Sequence, residues 1–274
     1  MIFTLTKSSL LRDYLMEIGL SRKLVKAIKS QGKILVNGNP VTVRCQLRPG
    51  DRLEIIMPEE KCDIPPTEMD LDVVFEDDHY LIIDKPAGLA CIPTKSHYEN
   101  SLANGIVAYY LKKNITATVH FVNRLDRQTQ GLLLVAKDRY SHYLLSQDIK
   151  QVKRVYQALV SGHLREKQTI DLPIYDDGNS MIRTVNSQGK HAITHVKPLQ
   201  EDGANTIVQC ILDTGRTHQI RVHLKAIGHP LVSDELYNPG IGKMYLRSVR
   251  IEFINPYDGK LVTIEKLEKR KRRP

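Results

Sequence analysis

Residues 123–137 read NRLDRQTQGLLLVAK. Leu132 to Val135 form an apolar run suited to a buried strand. Directly ahead of that run stand Arg124, Asp126 and Arg127, charged groups that are costly to desolvate. Gly131 permits a tight entry into the strand. Two readings of Asp126 follow. It pairs with an arginine to close a loop, or a rigid strand holds it as a reactive carboxylate at the floor of a cleft.

Working outward, DVVFEDDHYLIIDKPAG (72–88) predicts two strands turning near Asp77-Asp78, and SLANGIVAYYLKKN (101–114) predicts a helix. TVHFV (118–122), VYQALVSG (155–162), AITHVKPL (192–199), TIVQCILDTG (206–215) and KLVTIEK (260–266) read as further strands. THQIRVHLKAIG (217–228) reads as a helix capped by Thr217 and closed by Gly228. Many strands with few long helices between them predict an α+β domain built on an antiparallel or mixed sheet, not a doubly wound one.

The first 58 residues read differently. Ser9 is placed to cap a helix with Leu10, Leu11, Tyr14, Leu15 and Ile18 on one face. Ser21 is placed to cap a second, RKLVKAIKS, with Leu24, Val25 and Ile28 inward and Arg22, Lys23, Lys26 and Lys29 on the other face. KILVNG, VTVRC and DRLEIIM then predict short strands. A Pro- and Glu-rich linker covers about 59–70, a main body 71–264, and a basic tail, EKLEKRKRRP, 265–274.

The chain of 274 residues carries a net charge of +9. Residues 1–58 hold ten Lys/Arg against four Asp/Glu, and the tail six against two, so positive charge gathers at both ends around a nearly neutral body. Basic ends suit a polyanion, because each phosphate neutralised releases counterions; a solvated helix face and a solubilising tail are the alternative. No apolar run approaches the ~20 residues of a membrane span. The opening residues lack the features of a secretory signal, so a cytoplasmic protein that does not engage membranes is expected. Cys45, Cys62, Cys91 and Cys210 are widely spaced and read as free thiols.

Several chemistries find no motif. There is no G-x-G-x-x-G after a strand and no phosphate-binding P-loop. His191 and His195, in HAITH, lack the glutamate of a zinc-protease helix. His218, His223 and His229 read as hydrogen-bonding histidines rather than metal ligands. No serine or cysteine elbow for acyl transfer is present. What remains is Asp126, Tyr156 in KRVYQALVSG (153–162), and Arg216 and Arg221 in GRTHQIRVHLKAIGHPLVSDELY (215–237). An Asp, a Tyr and an Arg on separate elements suit one small, flat, polar ligand.

HFVNRLDRQTQGLLLVAK (120–137), KRVYQALVSG and GRTHQIRVHLKAIGHPLVSD (215–234), in that order, resemble the successive motifs of RluA-type pseudouridine synthases. The resemblance spans roughly residues 71–264. It implies a catalytic domain with a central cleft that isomerises uridine in RNA to pseudouridine without metal, nucleotide or organic cofactor. It implies that Asp126 is the catalytic aspartate and that Tyr156 stacks on the target base and assists proton removal. Arg221 would then salt-bridge the aspartate, and Arg124 would help displace the uridine. The usual H-R-L-D begins here with Asn123, and the usual T-S-G reads Thr129-Gln130-Gly131. Residues 11–41 and 47–55 resemble the RNA-binding domain of ribosomal protein S-four, which implies that Arg22, Lys23 and Lys26 face structured RNA.

The reaction explains these residue types. Making pseudouridine breaks the bond from ribose to uracil nitrogen, turns the base and rejoins ribose to carbon-5, so the base must first leave its stack. A tyrosine stacks on the extruded ring. A guanidinium beside the carboxylate stabilises its ionised form and orients it through paired hydrogen bonds. Attack on the ribose, attack on the ring, and removal of a ribose proton to give a glycal all remain open. The expected substrate is ribosomal RNA, large-subunit first, with transfer RNA second, acted on by a monomer. A non-catalytic RNA-binding or ribosome-assembly protein with a synthase-like fold is the alternative.

Overall fold

The computed structural model describes residues 1–94 and 98–267. Most of the basic tail, 268–274, lies outside them. Two compact units are present: Met1–Asp63 with Lys113–Thr118, and Ile64–Lys112 with the chain from Val119 onward.

The first unit contains strand β1 (Ile2–Thr4), the short pair β2 (Ser9–Leu10) and β5 (Gln46–Leu47), and helices α1 (Leu11–Glu17) and α2 (Arg22–Gln31). Strands β3 (Lys33–Val36), β4 (Asn39–Pro40) and β6 (Arg52–Ile56) join β1 in a four-stranded sheet of order β1-β6-β3-β4. Ser21 caps α2 by accepting the Leu24 N–H, as its sequence predicts, and Leu24 and Ile28 are buried. Ser9 caps nothing. It lies in β2, and Leu10 occupies the cap of α1 without a side-chain hydrogen bond. VTVRC forms no strand: Val43 accepts from Arg12 N–H and Cys45 from Leu11 N–H, so this segment closes against the start of α1.

The second unit is an α+β fold around a ten-stranded mixed sheet. In chain order it comprises β7 (Val73–Glu76), β8 (Tyr80–Lys85), α3 (Leu102–Lys112), β9 (His120–Phe121), β10 (Gln130–Ala136), α4 (Arg139–Ser146), β11 (Lys153–Ser161) and β12 (Gln168–Asp171). There follow β13 (Ile174–Tyr175), β14 (Thr184–Val185), β15 (Ile193–Asp202), β16 (Asn205–Leu212), α5 (Gln219–Ala226), β17 (Leu246–Ile254) and β18 (Leu261–Glu265). The main path runs β12-β15-β16-β11-β17-β10-β8-β7, with β9 on β10 and β18 on β17, while β13 and β14 form a separate hairpin. Leu132 to Ala136 are completely buried, and Leu132 and Leu134 pack with Tyr80, Ile82, Ile251 and Phe253. Among the described residues no helix is long and apolar enough to cross a membrane. None of the four cysteines forms a disulfide among the described residues.

One register places the site. The parallel pair β10–β17 sets Gly131 opposite Ser248, and the antiparallel pair β11–β17 sets Tyr156 opposite the same Ser248. The start of β10 and the middle of β11 are therefore level, two strand spacings or about 9.6 Å apart. Pairing shifts between Val155 and Tyr156, leaving Val249 as the extra residue on β17. Such a bulge re-aims the side chains beside it. Gly131 has φ +106°, and a Cβ there would stand 2.2 Å from the Ser248 carbonyl oxygen. Substituting Gly131→Ala is expected to lower stability by about 3 kcal/mol or more, since strain in φ adds to a backbone clash. Urea unfolding of the two proteins measures it.

Candidate active site

The β10 entry loop is pinned from beneath before any reactive group enters. Lys85, at the end of β8, is completely buried and donates to the carbonyls of Pro86 (2.9 Å), Leu89 (2.8 Å) and Arg127 (3.2 Å). Burial pushes its ammonium down to about 8, against the opposing charges of Cys91 and Asp126. Gly88 N–H donates to the same Arg127 carbonyl at 2.7 Å, and Thr129 N–H donates to the Asp126 carbonyl at 3.0 Å. Leu125 is held through both backbone groups by the Cys91 sulfur. These contacts fix the backbone around Asp126 while its carboxylate keeps 26% exposure, facing a cavity of about 620 Å³.

Asp126, Tyr156, Arg221 and Arg124 all line this cavity. Tyr156 projects from β11 and is buried, which raises its phenol pKa; Arg154 opposes that rise and Asp126 adds to it. Asn123 accepts Leu134 N–H at 2.9 Å through its Oδ1, which locks the side chain to β10. Its buried amide nitrogen closes no hydrogen bond, yet the group sits near enough to Tyr156 to favour the ionised phenol. Arg22, Lys23 and Lys26 do not line this cavity. They belong to the first unit, exposed on α2.

The guanidinium of Arg221 is shared unevenly. Its Nε and Nη2 donate to the two oxygens of Asp234 at 2.8 and 2.5 Å, whereas Nη1 stands 3.9 Å from Asp126 Oδ2. The paired hydrogen bonds expected for Asp126 therefore go to Asp234. That carboxylate is completely buried and accepts Leu236 and Tyr237 N–H as well. Burial works against both charges, but the pairing more than offsets it, lowering the Asp234 pKa and raising that of Arg221. The Tyr237 ring lies 5.0 Å from the same guanidinium.

Sequence reasoning missed Asp234, Lys85 and the placement of His218. The helix carrying Arg221 is capped by His218, not Thr217, and His218 Nε2 lies 4.0 Å from Asp126 Oδ2. Buried charged residues near a cleft would have pointed to all three, but burial is not written in a sequence. Among the described residues no group of three His, Cys, Asp or Glu is arranged to hold a metal ion.

Two outcomes test this geometry. Asp234→Asn strands a buried guanidinium and should cost about 3–5 kcal/mol. Asp126→Asn, which loses only long contacts to a partly exposed group, should cost about 1 kcal/mol or less; urea unfolding compares them. Burial also lowers the pKa of His218 and of His223, which is held between Thr194 and the Leu172 carbonyl. Below the ordinary histidine value of 6.5 the unfolded chain then takes up protons that the folded protein refuses. Stability should fall as pH drops from about 7 to about 5, read as a lower urea midpoint.

Residues 79–226 match the family model described as RNA pseudouridylate synthase. The chain is 41% identical over 255 residues to the Bacillus subtilis protein named uncharacterized RNA pseudouridine synthase YjbO, covering 89% of this chain and 90% of that one. It is 32% identical over 279 residues to the ribosomal large subunit pseudouridine synthase D of Neisseria meningitidis serogroup A, covering 94% and 73%. The solved human RNA pseudouridylate synthase domain containing 1 shares the fold, with a TM-score of 0.58 at 24% identity over 74% of this chain and 86% of that one. With the three motifs in order around one cavity, this chain belongs to the RNA pseudouridylate synthases, as an RluA-type member.

Proposed function

We propose that this RNA pseudouridine synthase acts on structured ribosomal RNA, large-subunit RNA before transfer RNA, with Asp126 as its reactive carboxylate. The observation that carries the reading is the Asp126 carboxylate, partly exposed in a cavity that Tyr156 also lines, with the Arg221 guanidinium 3.9 Å away. A relative named for the large ribosomal subunit, similar along 94% of this chain, supports the choice of RNA.

In this reading the target uridine leaves its stack and enters the cavity, with Arg124 at the mouth taking flanking phosphate or vacated space. Tyr156 stacks on the ring, worth roughly 1–3 kcal/mol. Its raised pKa keeps the hydroxyl protonated at rest, so it assists removal of the carbon-5 proton only as a relay, handing its own proton to solvent in the cavity as it takes that one. Arg221, braced by Asp234, orients the Asp126 carboxylate. The first unit is an RNA-binding domain like that of ribosomal protein S-four. Its α1–α2 groove is lined by Met16, Val25 and Val43 with Arg12, Arg22, Lys26 and Lys29 around them and the single carboxylate of Asp13 paired to Arg12, a net cationic surface that suits phosphates around an unstacked base. The enzyme works as a monomer in the cytoplasm.

Asp126→Asn should cut tritium release from carbon-5-labelled uridine RNA by at least about a thousandfold with the fold intact. Turnover near wild type would remove Asp126 from the chemistry. Tyr156→Phe should leave RNA affinity unchanged and slow turnover about a hundredfold. Replacing Arg22, Lys23 and Lys26 together by alanine should flatten the plot of log affinity against log salt by about 2, while turnover of saturating RNA is kept.

A further inference from the structure

We propose that His218 is a positioning residue for Asp126: a neutral imidazole, held in a strained backbone, whose Nε2–H faces the same carboxylate oxygen that Arg221 faces. This rests on the reading of Asp126 as the reactive group.

The backbone supplies the first indication. His218 caps α5 with φ 57° and ψ 19°, a left-handed conformation, and makes no side-chain capping hydrogen bond. A non-glycine residue held there costs of order 1–3 kcal/mol and persists only where the surroundings impose it, commonly at functional sites. Its side chain is 11% exposed and lines the Asp126 cavity.

The tautomer follows from counting donors. Tyr237 Oη accepts the Arg183 backbone N–H at 2.8 Å and lies 3.0 Å from His218 Nδ1. Among the described residues, Nδ1 is the acceptor within reach of the phenolic proton. Nδ1 therefore receives the Tyr237 O–H, and the ring carries its own hydrogen on Nε2. Nε2 lies 4.0 Å from Asp126 Oδ2, and Arg221 Nη1 lies 3.9 Å from the same oxygen. Catalytic contacts of this length tighten when the reacting group is bound.

The division of labour has a reason. Two nitrogens of Arg221 are committed to Asp234, so the guanidinium offers Asp126 a single direction, about which a carboxylate can still pivot. A second donor on the same oxygen stops the pivot and leaves Oδ1 for the substrate. The ring stays neutral near pH 7 against the charge of Asp126. Burial is the main effect, Arg221 on α5 and Arg183 on the β13–β14 hairpin add to it, and Asp126 and Asp234 only partly oppose. A neutral ring donates without placing a further mobile charge beside the carboxylate.

The test uses the full chain and RNA labelled with tritium at uridine carbon-5, with wild type, Asp126→Asn, His218→Asn and Tyr237→Phe assayed across pH. Asparagine tolerates the left-handed backbone, so His218→Asn keeps the helix cap while removing a donor that reaches Asp126. It should lower kcat about tenfold or more with KM within about twofold, and move the acid limb of kcat/KM up by about one pH unit. Tyr237→Phe keeps the ring against Arg221 but frees the tautomer. It should shift the limb in the same direction by less. If Asp126→Asn is inactive while His218→Asn keeps the wild-type kcat, or loses kcat with an unmoved pH profile, His218 has no positioning role. If Asp126→Asn is active, the reading beneath it fails as well.

Discussion

The site depends on how one buried guanidinium divides its hydrogen bonds. Arg221 gives its two-pronged edge to Asp234, which does not line the cavity, while its remaining nitrogen stands 3.9 Å from Asp126, which does, without a hydrogen bond. Burying a charge is tolerable only with a partner that matches it in geometry as well as sign. Asp234 meets that need, and so Arg221 remains cationic without Asp126. The Asp126 carboxylate is thereby free to change partners while the charge 3.9 Å from it stays in place. A single Arg–Asp pair would have made structure and chemistry compete for the same bonds.

The same economy runs through the backbone. Ser248 on β17 faces Gly131 on one side and Tyr156 on the other, so sheet register alone brings the loop before β10 level with the aromatic ring on β11. Lys85 then ties that loop, through the Arg127 carbonyl, to the turn after β8, whose Pro86 and Leu89 carbonyls it also holds. The polar groups that hold the site are thus mostly buried and mostly bonded to backbone, which makes the cavity wall rigid.

The charges that crowd the mouth of β10 each have a structural place. Asp126 and Arg124 line the cavity, Arg127 lends its carbonyl to Lys85, and the apolar run behind them is the rigid support. Strand β10, the α5 segment, the α2 cap at Ser21 and the α+β class were all legible, because each rests on local periodicity or capping chemistry. Strand β17 was not. Arg247 and Arg250 interrupt its apolar pattern, and only the fold reveals that Arg247 is buried in an ion pair with Asp84 at 2.6 Å. VTVRC alternates like a strand and still finds no partner strand, because the start of α1 takes its carbonyls instead.

Sequence alone pointed to the family, the order of its motifs and Asp126, Tyr156 and Arg221 as candidates for one site, and all three line the same cavity. Those features are carried by residue type and spacing along the chain. Tertiary structure decided which groups bond to which: Asp234 as the partner of Arg221, Lys85 beneath the loop, and His218 in a left-handed cap beside Asp126. The physical reason is burial. A lysine, an aspartate or a histidine reads alike in a sequence whether it lies in water or in the core, and only desolvation forces it to take the specific partners that define this site.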